Sequence, residues 1–314
     1  MVNLRNPLLS NYPMSETSQI TDFMSTCTLE ITPGGAAKIE SFKALLRDNQ
    51  IVYVTFLPGS DFRDTVTTVK RLKDEGMRPV PHFAARSIPS KAFFEENLKM
   101  LTEETGVEEA LLIGGGVDNP VGDFTESMQI IKLGLFEKYG IKHLGIAGHP
   151  EGSPDISEAD CARALAEKNA YARESPMDFY IATQFCFEAE PIIEWDKKIR
   201  TEGNELPIHI GIPGLATIKT LLRHAQACGI GNSMRFLTKQ AANIAKLMTV
   251  SEPDKLVRDL AAYKANDPDC GIAQCHLYPL GGLAKSSAWL YAVQDGKITL
   301  GKKAGFKTDF SVPA

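Results

Sequence analysis

The 314-residue chain has few cysteines and no closely spaced pair of them. Its six cysteines are scattered, and none belongs to a CxxC motif. This pattern argues against a disulfide framework and a structural zinc site, and it is typical of thiols kept reduced in a cytoplasm. Cys270 and Cys275 are the nearest pair, and their spacing alone gives little support for a metal site.

Long apolar runs and long basic runs are also absent. No stretch approaches the roughly 18 uncharged apolar residues that cross a bilayer, so no membrane partner is predicted. The formal net charge of −5 argues against a nucleic-acid partner. Residues 1–25 lack an apolar signal core and are predicted to form a loose N-terminal arm.

Short β-rich runs alternate with helical patterns through the rest of the chain. Most of these runs are continuously apolar, as expected for strands buried on both faces. Eight strand–helix units predict an α/β fold, a closed (β/α)8 TIM barrel that forms one domain over residues 26–314. The eight runs begin near residues 27, 51, 78, 109, 143, 178, 206 and 271.

The helical patterns predict where the elements between the strands lie. Apolar spacing predicts one amphipathic helix over residues 36–48 and another from Phe124 to Leu135. Residues 215–269 are long for one crossover and predict three successive helices between strands 7 and 8. Glycine is expected to close three other helices, at Gly76, Gly106 and Gly140.

Polar residues occupy the carboxyl ends of the strands, where barrels of this kind carry their chemistry. Glu30 lies inside the apolar run "TLEIT", where a carboxylate costs several kcal/mol unless it is paired or protonated. Burial raises a carboxyl pKa, so Glu30 is predicted to be a proton donor near neutral pH. The alternative is a structural ion pair with a lysine or arginine of the barrel.

Three glycines, residues 114–116, follow the fourth strand and precede Asp118. They permit either close approach of a ligand to the backbone or a positive φ in a tight turn. The segment is neither a GxGxxG motif nor a P-loop, so it predicts no dinucleotide fingerprint. Asp118 is either a site residue or a turn former.

Four histidines lie in or just after strands, but no carboxylate spacing completes a metal site with them. His209 lies within its strand and is interpreted as a core residue. No strand end carries an obvious Schiff-base lysine, a GxSxG motif or a catalytic Cys–His pair, which weakens aldolase-like and acyl-transfer chemistry. The four residues are His82, His149, His209 and His276.

Seven short motifs together resemble the methylenetetrahydrofolate reductase family, in the same order over most of residues 26–281. They are "TLEITPGG", "VTFLPG", "VPHFAARS", "GIAGHPEG", "IATQFCFE", "GIPGL" and "CHLYPLGG". The resemblance implies a TIM barrel that binds FAD at the strand ends. A reduced nicotinamide nucleotide, NADH or NADPH, would reduce the flavin. The flavin would then reduce 5,10-methylenetetrahydrofolate to 5-methyltetrahydrofolate.

The resemblance also implies roles for individual residues. Glu30 and Asp118 match catalytic positions, and Gln184 matches a residue that hydrogen-bonds the pterin, with Phe187 and Leu221 in the substrate site. Positions that match the flavin site are Thr55, His82, Gly115, Gly116, Asp118, Ala147, His149 and Lys168. The family further implies a cytoplasmic homo-oligomer.

The chain departs from the family pattern at three places. Gly-Gly-Gly-Val-Asp replaces the common Arg-Gly-Asp after the fourth strand, His149 replaces a frequent tyrosine, and Leu221 replaces an expected phenylalanine. These changes predict weaker FAD retention than folate binding. Two alternatives therefore stay open: a flavin-free, folate-dependent methyl-transfer enzyme, and a non-catalytic folate-binding barrel.

Overall fold

The computed structural model describes residues 14–153, 156–227, 238, 247–302 and 304–312. Eight parallel strands close into a barrel, which confirms the predicted TIM barrel. The barrel strands are β1 (Thr28–Ile31), β2 (Ile51–Val54), β3 (Arg78–Ala84), β4 (Glu109–Ile113), β5 (His143–Gly148), β6 (Asp178–Phe185), β7 (Ile208–Pro213) and β10 (Ile272–Tyr278). Around the barrel their order is β1-β10-β7-β6-β5-β4-β3-β2.

Two small antiparallel pairs lie outside the barrel. One joins β8 (Ala216–Thr217) to β9 (Val250–Ser251), and the other joins β11 (Ile298–Leu300) to β12 (Phe306–Thr308). The first pair brackets the long insertion after β7, so that insertion is anchored at both ends beside the barrel mouth.

The helices form the outer layer, and polar side chains begin several of them. Ser90 and Ser157 accept hydrogen bonds from backbone N–H groups in the first turn, as helix caps do. In the part of the chain that the structure describes, no helix is long and apolar enough to cross a membrane. The helices are α1 (Glu16–Met24), α2 (Pro33–Ala36), α3 (Phe62–Asp74), α4 (Lys91–Thr105), α5 (Ser127–Ile131), α6 (Leu135–Lys138), α7 (Glu158–Glu174), α8 (Ala189–Thr201), α9 (Ile218–Ala227), α10 (Asp254–Asn266) and α11 (Leu283–Gln294).

The predicted helix-closing glycines are confirmed. Gly76, Gly106 and Gly140 have φ values of 90°, 60° and 83° and follow α3, α4 and α6. Glycine reaches this left-handed region without the Cβ clash that other residues meet. The helices therefore end where the sequence indicated, and each following chain segment turns back toward the barrel.

The predicted loose arm is wrong for its last part. Residues 16–24 form α1, which packs against α10 and α11. Ile20, Phe23 and Met24 are buried because their spacing places them on one helical face. Many polar residues around this stripe hid the amphipathic pattern in the sequence.

The helix predicted over residues 36–48 is also wrong, because α2 ends at Ala36 and the chain continues through turns. Tertiary hydrogen bonds satisfy this segment instead of a helical ladder. The carboxylate of Glu75 accepts a hydrogen bond from the Phe42 N–H at 2.5 Å, and the Arg71 guanidinium donates to the Ala36 carbonyl at 2.9 Å. Both partners come from α3 and its C-terminal cap, which local spacing could not reveal.

Two further segments differ in part from their predictions. The helix expected from Phe124 to Leu135 is split into α5 and α6, because Gly134 adopts a φ of +66° between them. Met128 and Leu135 are nonetheless buried as predicted. Of the three helices predicted within residues 215–269, the first and third are α9 and α10, and most of the middle one lies outside the described residues.

Candidate active site

Strand register brings Glu30 to the inside of the barrel mouth. Side chains alternate along a strand, so Thr28 and Glu30 share the inner face of β1. The neighbouring strand β10 pairs His276 with Thr28. On the other side, β2 pairs Tyr53 with Glu30. The barrel interior around the carboxylate is therefore built from polar and aromatic side chains.

Glu30 is in contact with a buried histidine. Its Oε2 lies 3.6 Å from Nε2 of His276, an ion-pair contact slightly too long for a hydrogen bond. The other ring nitrogen of His276, Nδ1, lies 2.7 Å from Oγ1 of Thr28. Thr28 and His276 are 1% and 2% exposed, whereas the Glu30 side chain keeps 17% of its surface open to the mouth.

The expected rise in the Glu30 pKa is not found. Burial is the largest influence and raises the pKa, but the contact with His276 and positive charge on His276 and His82 outweigh it. The Thr55 hydroxyl also helps to lower the pKa, although its Oγ1 completes no hydrogen bond with a described residue. The net shift is downward, so Glu30 is ionised at neutral pH in the ligand-free protein. Among the described residues, the ion-pair partner of Glu30 is His276 and not the lysine or arginine of the alternative.

A pair of tyrosines fills the barrel axis below this carboxylate. The Tyr53 hydroxyl donates to the Tyr180 hydroxyl at 2.8 Å, and the Tyr180 ring stacks on His209 with 4.1 Å between ring centroids. Burial raises the pKa of both tyrosines and lowers that of His209 to about 3. His209 is therefore a neutral interior residue, in agreement with its interpretation from the sequence.

The mouth beside β3 differs because it leaves buried polar atoms unpartnered. His82 is 6% exposed, and burial lowers its pKa to about 4. Neither its Nε2 nor the Ser87 Oγ has a hydrogen-bond partner among the described residues. Both residues line a cavity of about 210 Å³ whose other walls include Phe56, Phe62, Phe93, Phe94, Val117 and Val121.

The glycine loop after β4 combines a required turn with open space. Gly115 has a φ of +92°, and a Cβ there would lie 3.2 Å from the Cβ of Ala84. A Cβ on Gly114 or Gly116 would meet nothing within 4 Å. The turn interpretation therefore holds for Gly115, and Gly114 and Gly116 border open space, so close approach of a ligand there stays a prediction.

Arg86 holds this loop in place, a role that no pattern in the sequence indicated. Its backbone N–H donates to the Gly114 carbonyl, and its carbonyl accepts from the Val121 N–H, both at 2.9 Å. Its side-chain Nε donates to the Thr125 carbonyl at 2.9 Å. The loop that carries the exposed Asp118 is thus fixed from the end of β3.

A buried cation lies beside the end of β5. Lys168 on α7 is 7% exposed, and burial lowers its pKa. Burial, and then the charge of Lys168, lower the pKa of His149 to about 4. The structure therefore brings Lys168 close to His149, and Ala147 faces the barrel interior on the same strand, two residues before His149.

The remaining substrate-site predictions fall at the end of β6. The Gln184 Oε1 accepts a hydrogen bond from the Phe185 N–H at 3.2 Å. Phe187 is 9% exposed and Leu221 is 1% exposed, and both belong to an apolar cluster with Phe185 and Ala225. Leu221 thus packs within the cluster in this conformation and presents no open face to a ligand.

Within the described ranges, no group of three or more His, Cys, Asp or Glu side chains is arranged to hold a metal ion. We call the part of the mouth on β1 and β10, with Thr28, Glu30 and His276, the acid side. We call the part on β2 to β5, with His82, Ser87 and the glycine loop, the open side.

Comparison with known proteins identifies the family of this chain. The sequence model of the methylenetetrahydrofolate reductase family matches residues 36–275. Methylenetetrahydrofolate reductase 2 of Saccharomyces cerevisiae is 30% identical over 140 residues, which are 44% of this chain and 22% of that protein. Methylenetetrahydrofolate reductase 1 of Schizosaccharomyces pombe is 29% identical over 117 residues, or 37% of this chain and 17% of that protein. The matches thus span less than a quarter of either relative.

A solved structure with a similar fold comes from Clostridium thermocellum. It is an uncharacterized protein described as binding two copies of 5-methyl-5,6,7,8-tetrahydrofolic acid. It is 12% identical with a TM-score of 0.49, and the match covers 84% of this chain and 92% of that one. The family's sequence model, by contrast, covers more than half of this chain. On that ground, the chain belongs to the methylenetetrahydrofolate reductase family.

Proposed function

We propose that this chain is an oxidoreductase that reduces 5,10-methylenetetrahydrofolate to 5-methyltetrahydrofolate, with FAD as cofactor and NADH or NADPH as electron donor. One observation carries the proposal. Glu30, Gln184 and the glycine loop, which match three functional parts of the family, lie at one end of a single closed barrel. A parallel barrel collects its catalytic groups at that end.

The open side of the mouth fits the cofactor. His82 Nε2 and Ser87 Oγ are buried polar atoms that a ligand would satisfy, and Gly114 and Gly116 leave space above the loop. The buried Lys168 ammonium on α7 suits a phosphate group, whereas the loop after β4 lacks the family's arginine. When bound, FAD supplies hydride transfer, and the protein supplies orientation and a proton.

The acid side of the mouth, together with Gln184 at the end of β6, would act on the folate. The Gln184 amide would orient a heterocycle by hydrogen bonds. Glu30 would deliver the proton that assists opening of the methylene bridge, although its carboxyl is ionised in the ligand-free protein. A folate that covers the exposed 17% of Glu30 would exclude water and favour the protonated form.

Separate measurement of the two half-reactions tests this proposal. Glu30→Gln should slow folate reduction about 100-fold or more and leave flavin reduction by NADH or NADPH largely intact. The matched control is Glu190→Gln, which removes an exposed carboxylate on α8 and should change neither rate. Loss of both half-reactions in a folded Glu30→Gln protein would contradict the assignment.

A flavin-free folate enzyme is the second candidate, favoured by the missing arginine and by the buried Leu221. The visible spectrum of the purified protein, before and after addition of FAD and gel filtration, separates the two. A retained flavin spectrum supports the reductase. A colourless protein that still binds tetrahydrofolate favours the flavin-free enzyme, and turnover with added FAD excludes a non-catalytic barrel.

Two further expectations from the family belong to the same proposal. The protein is expected to be cytoplasmic and to form a homo-oligomer. Light scattering of the purified protein measures the oligomeric state, and a strictly monomeric species would contradict that part.

A further inference from the structure

We propose that His276 and Glu30 work as one proton-holding unit, in which His276 supplies the proton that Glu30 passes to the folate and Thr28 positions the ring. This inference rests on the proposed function. It adds two residues to the acid side of the mouth, both buried and neither exposed to solvent.

The three side chains form a continuous row across two neighbouring strands. Thr28 Oγ1 lies 2.7 Å from His276 Nδ1, and His276 Nε2 lies 3.6 Å from Glu30 Oε2. The register that pairs Thr28 with His276 fixes this row. Only Glu30, at its end, reaches the surface of the mouth.

Thr28 allows the ring to carry a positive charge without an unpaired donor. Its hydroxyl can accept a hydrogen bond from Nδ1–H while it turns its own proton toward the Cys275 carbonyl, 3.4 Å away. Nε2 is then directed at Glu30. With Nδ1 protonated, a bare Nε2 and a carboxylate oxygen would repel each other, so one proton held between them stabilises the pair.

Among the described residues, the other ionisable groups around Glu30 are poorly suited to supply that proton near neutral pH. Burial lowers the pKa of His82 to about 4 and that of His209 to about 3, so both are neutral near pH 7. Burial also lowers the pKa of His224 on α9, and it raises that of Tyr53, whose ring lies 4.5 Å from the His276 ring. The Tyr278 ring lies 4.6 Å from the same imidazole.

The transfer is balanced in atoms and charge. The Nε2–H bond of the His276 imidazolium breaks as an O–H bond forms on Glu30 Oε2. The Glu30 O–H bond then breaks as an N–H bond forms on the folate nitrogen that leaves the methylene bridge. His276 ends neutral with its remaining proton on Nδ1, held by Thr28, and Nε2 is ready for the next proton from solvent through Glu30.

Substitutions of His276 and Thr28 separate proton supply from simple contact. His276→Gln can place an N–H group near Glu30 but carries no transferable proton. We expect the folate half-reaction to fall about 100- to 10,000-fold, with flavin reduction unchanged. Thr28→Val should weaken the same step and distort its pH profile, and Thr28→Ser should restore both. The control is His209→Gln, which removes another barrel histidine outside the row. Wild-type folate rates and pH profile in His276→Gln would overturn the proposal.

A second measurement does not depend on turnover. Isotope-edited infrared or NMR titration of Glu30 in the ligand-free protein, with Glu30→Gln to assign the signal, should show its pKa rising by about one to three pH units in His276→Asn. That variant can keep a hydrogen bond to Thr28 and removes Nε2. An unchanged Glu30 titration overturns the proposal. A wild-type protein that shows the coupled titration but reduces no folate would instead contradict the proposed function.

Discussion

The two sides of the barrel mouth differ in how completely their polar groups are satisfied. On the acid side, His276 contacts both Thr28 and Glu30. On the open side, His82 Nε2 and Ser87 Oγ have no hydrogen-bond partner among the described residues. A buried polar group without a partner costs about 1–3 kcal/mol. The side chains of the first side are therefore already in contact without a ligand, whereas the second side keeps buried polar atoms that a ligand can satisfy.

The largest expected effect is loss of stability in mild acid, carried mainly by the open side. His82, His149 and His209 have folded pKa values of about 4, 4 and 3, below the ordinary value of 6.5. Between about pH 6.5 and 4 the unfolded chain binds protons that the native protein does not. As the pH is lowered, the free energy of unfolding should therefore fall by about 1.4 kcal/mol per pH unit for each histidine.

Urea unfolding at several pH values measures this slope. His209→Gln should reduce it by the share of one histidine, since glutamine does not titrate. An equal slope in that variant would show that His209 is protonated in the native protein.

The next effect is stabilisation by FAD. At a concentration 100 times its dissociation constant, FAD should stabilise the protein by about 2.7 kcal/mol, because only the native state binds it. Thermal unfolding with and without FAD measures this. Glu30→Gln should keep the full effect and His82→Phe should lose much of it. The reverse result would exchange the roles of the two sides.

A smaller effect distinguishes the two kinds of glycine in the loop. Gly115→Ala should destabilise the protein by about 1–2 kcal/mol, because alanine is strained at a φ of +92°. Gly116→Ala should leave stability unchanged, because the added Cβ would meet no described atom within 4 Å. The same change should lower FAD affinity. Chemical unfolding and flavin fluorescence titration measure the two quantities. Unchanged FAD affinity in Gly116→Ala would show that the cofactor does not approach the loop there.

The smallest expected effect concerns Arg86, which fastens the loop to β3. Arg86→Ala removes its side-chain hydrogen bonds to the carbonyls of Thr125 and Val117 and should weaken FAD binding by roughly tenfold, or about 1.4 kcal/mol. Arg47→Ala, on the far surface and paired with Asp295, is the control. Equal FAD affinity in both variants would mean that the backbone bonds of Arg86 suffice to hold the loop.

The barrel could be predicted from the sequence because its strands are continuous apolar runs, a local signal. The downward shift of the Glu30 pKa could not be predicted in the same way. Its cause is His276, which lies 248 residues in the chain from Thr28, the neighbour of Glu30 on the inner face of β1, and reaches the site only through strand register. Arg86 was missed for a similar reason, since its hydrogen bonds reach a loop that no local pattern connects to β3. The turns at residues 36–48 likewise depend on Arg71 and Glu75, which no apolar spacing reveals.

The hydrogen bond between Tyr53 and Tyr180 has a consequence for motion. In the closed order of eight strands, β2 and β6 stand opposite each other, so this bond spans the barrel from wall to wall. Local opening of either strand has to break it and expose two aromatic rings to water. Backbone amides of β2 and β6 should therefore exchange their hydrogens together, at the rate of global unfolding, while the loops above them exchange independently.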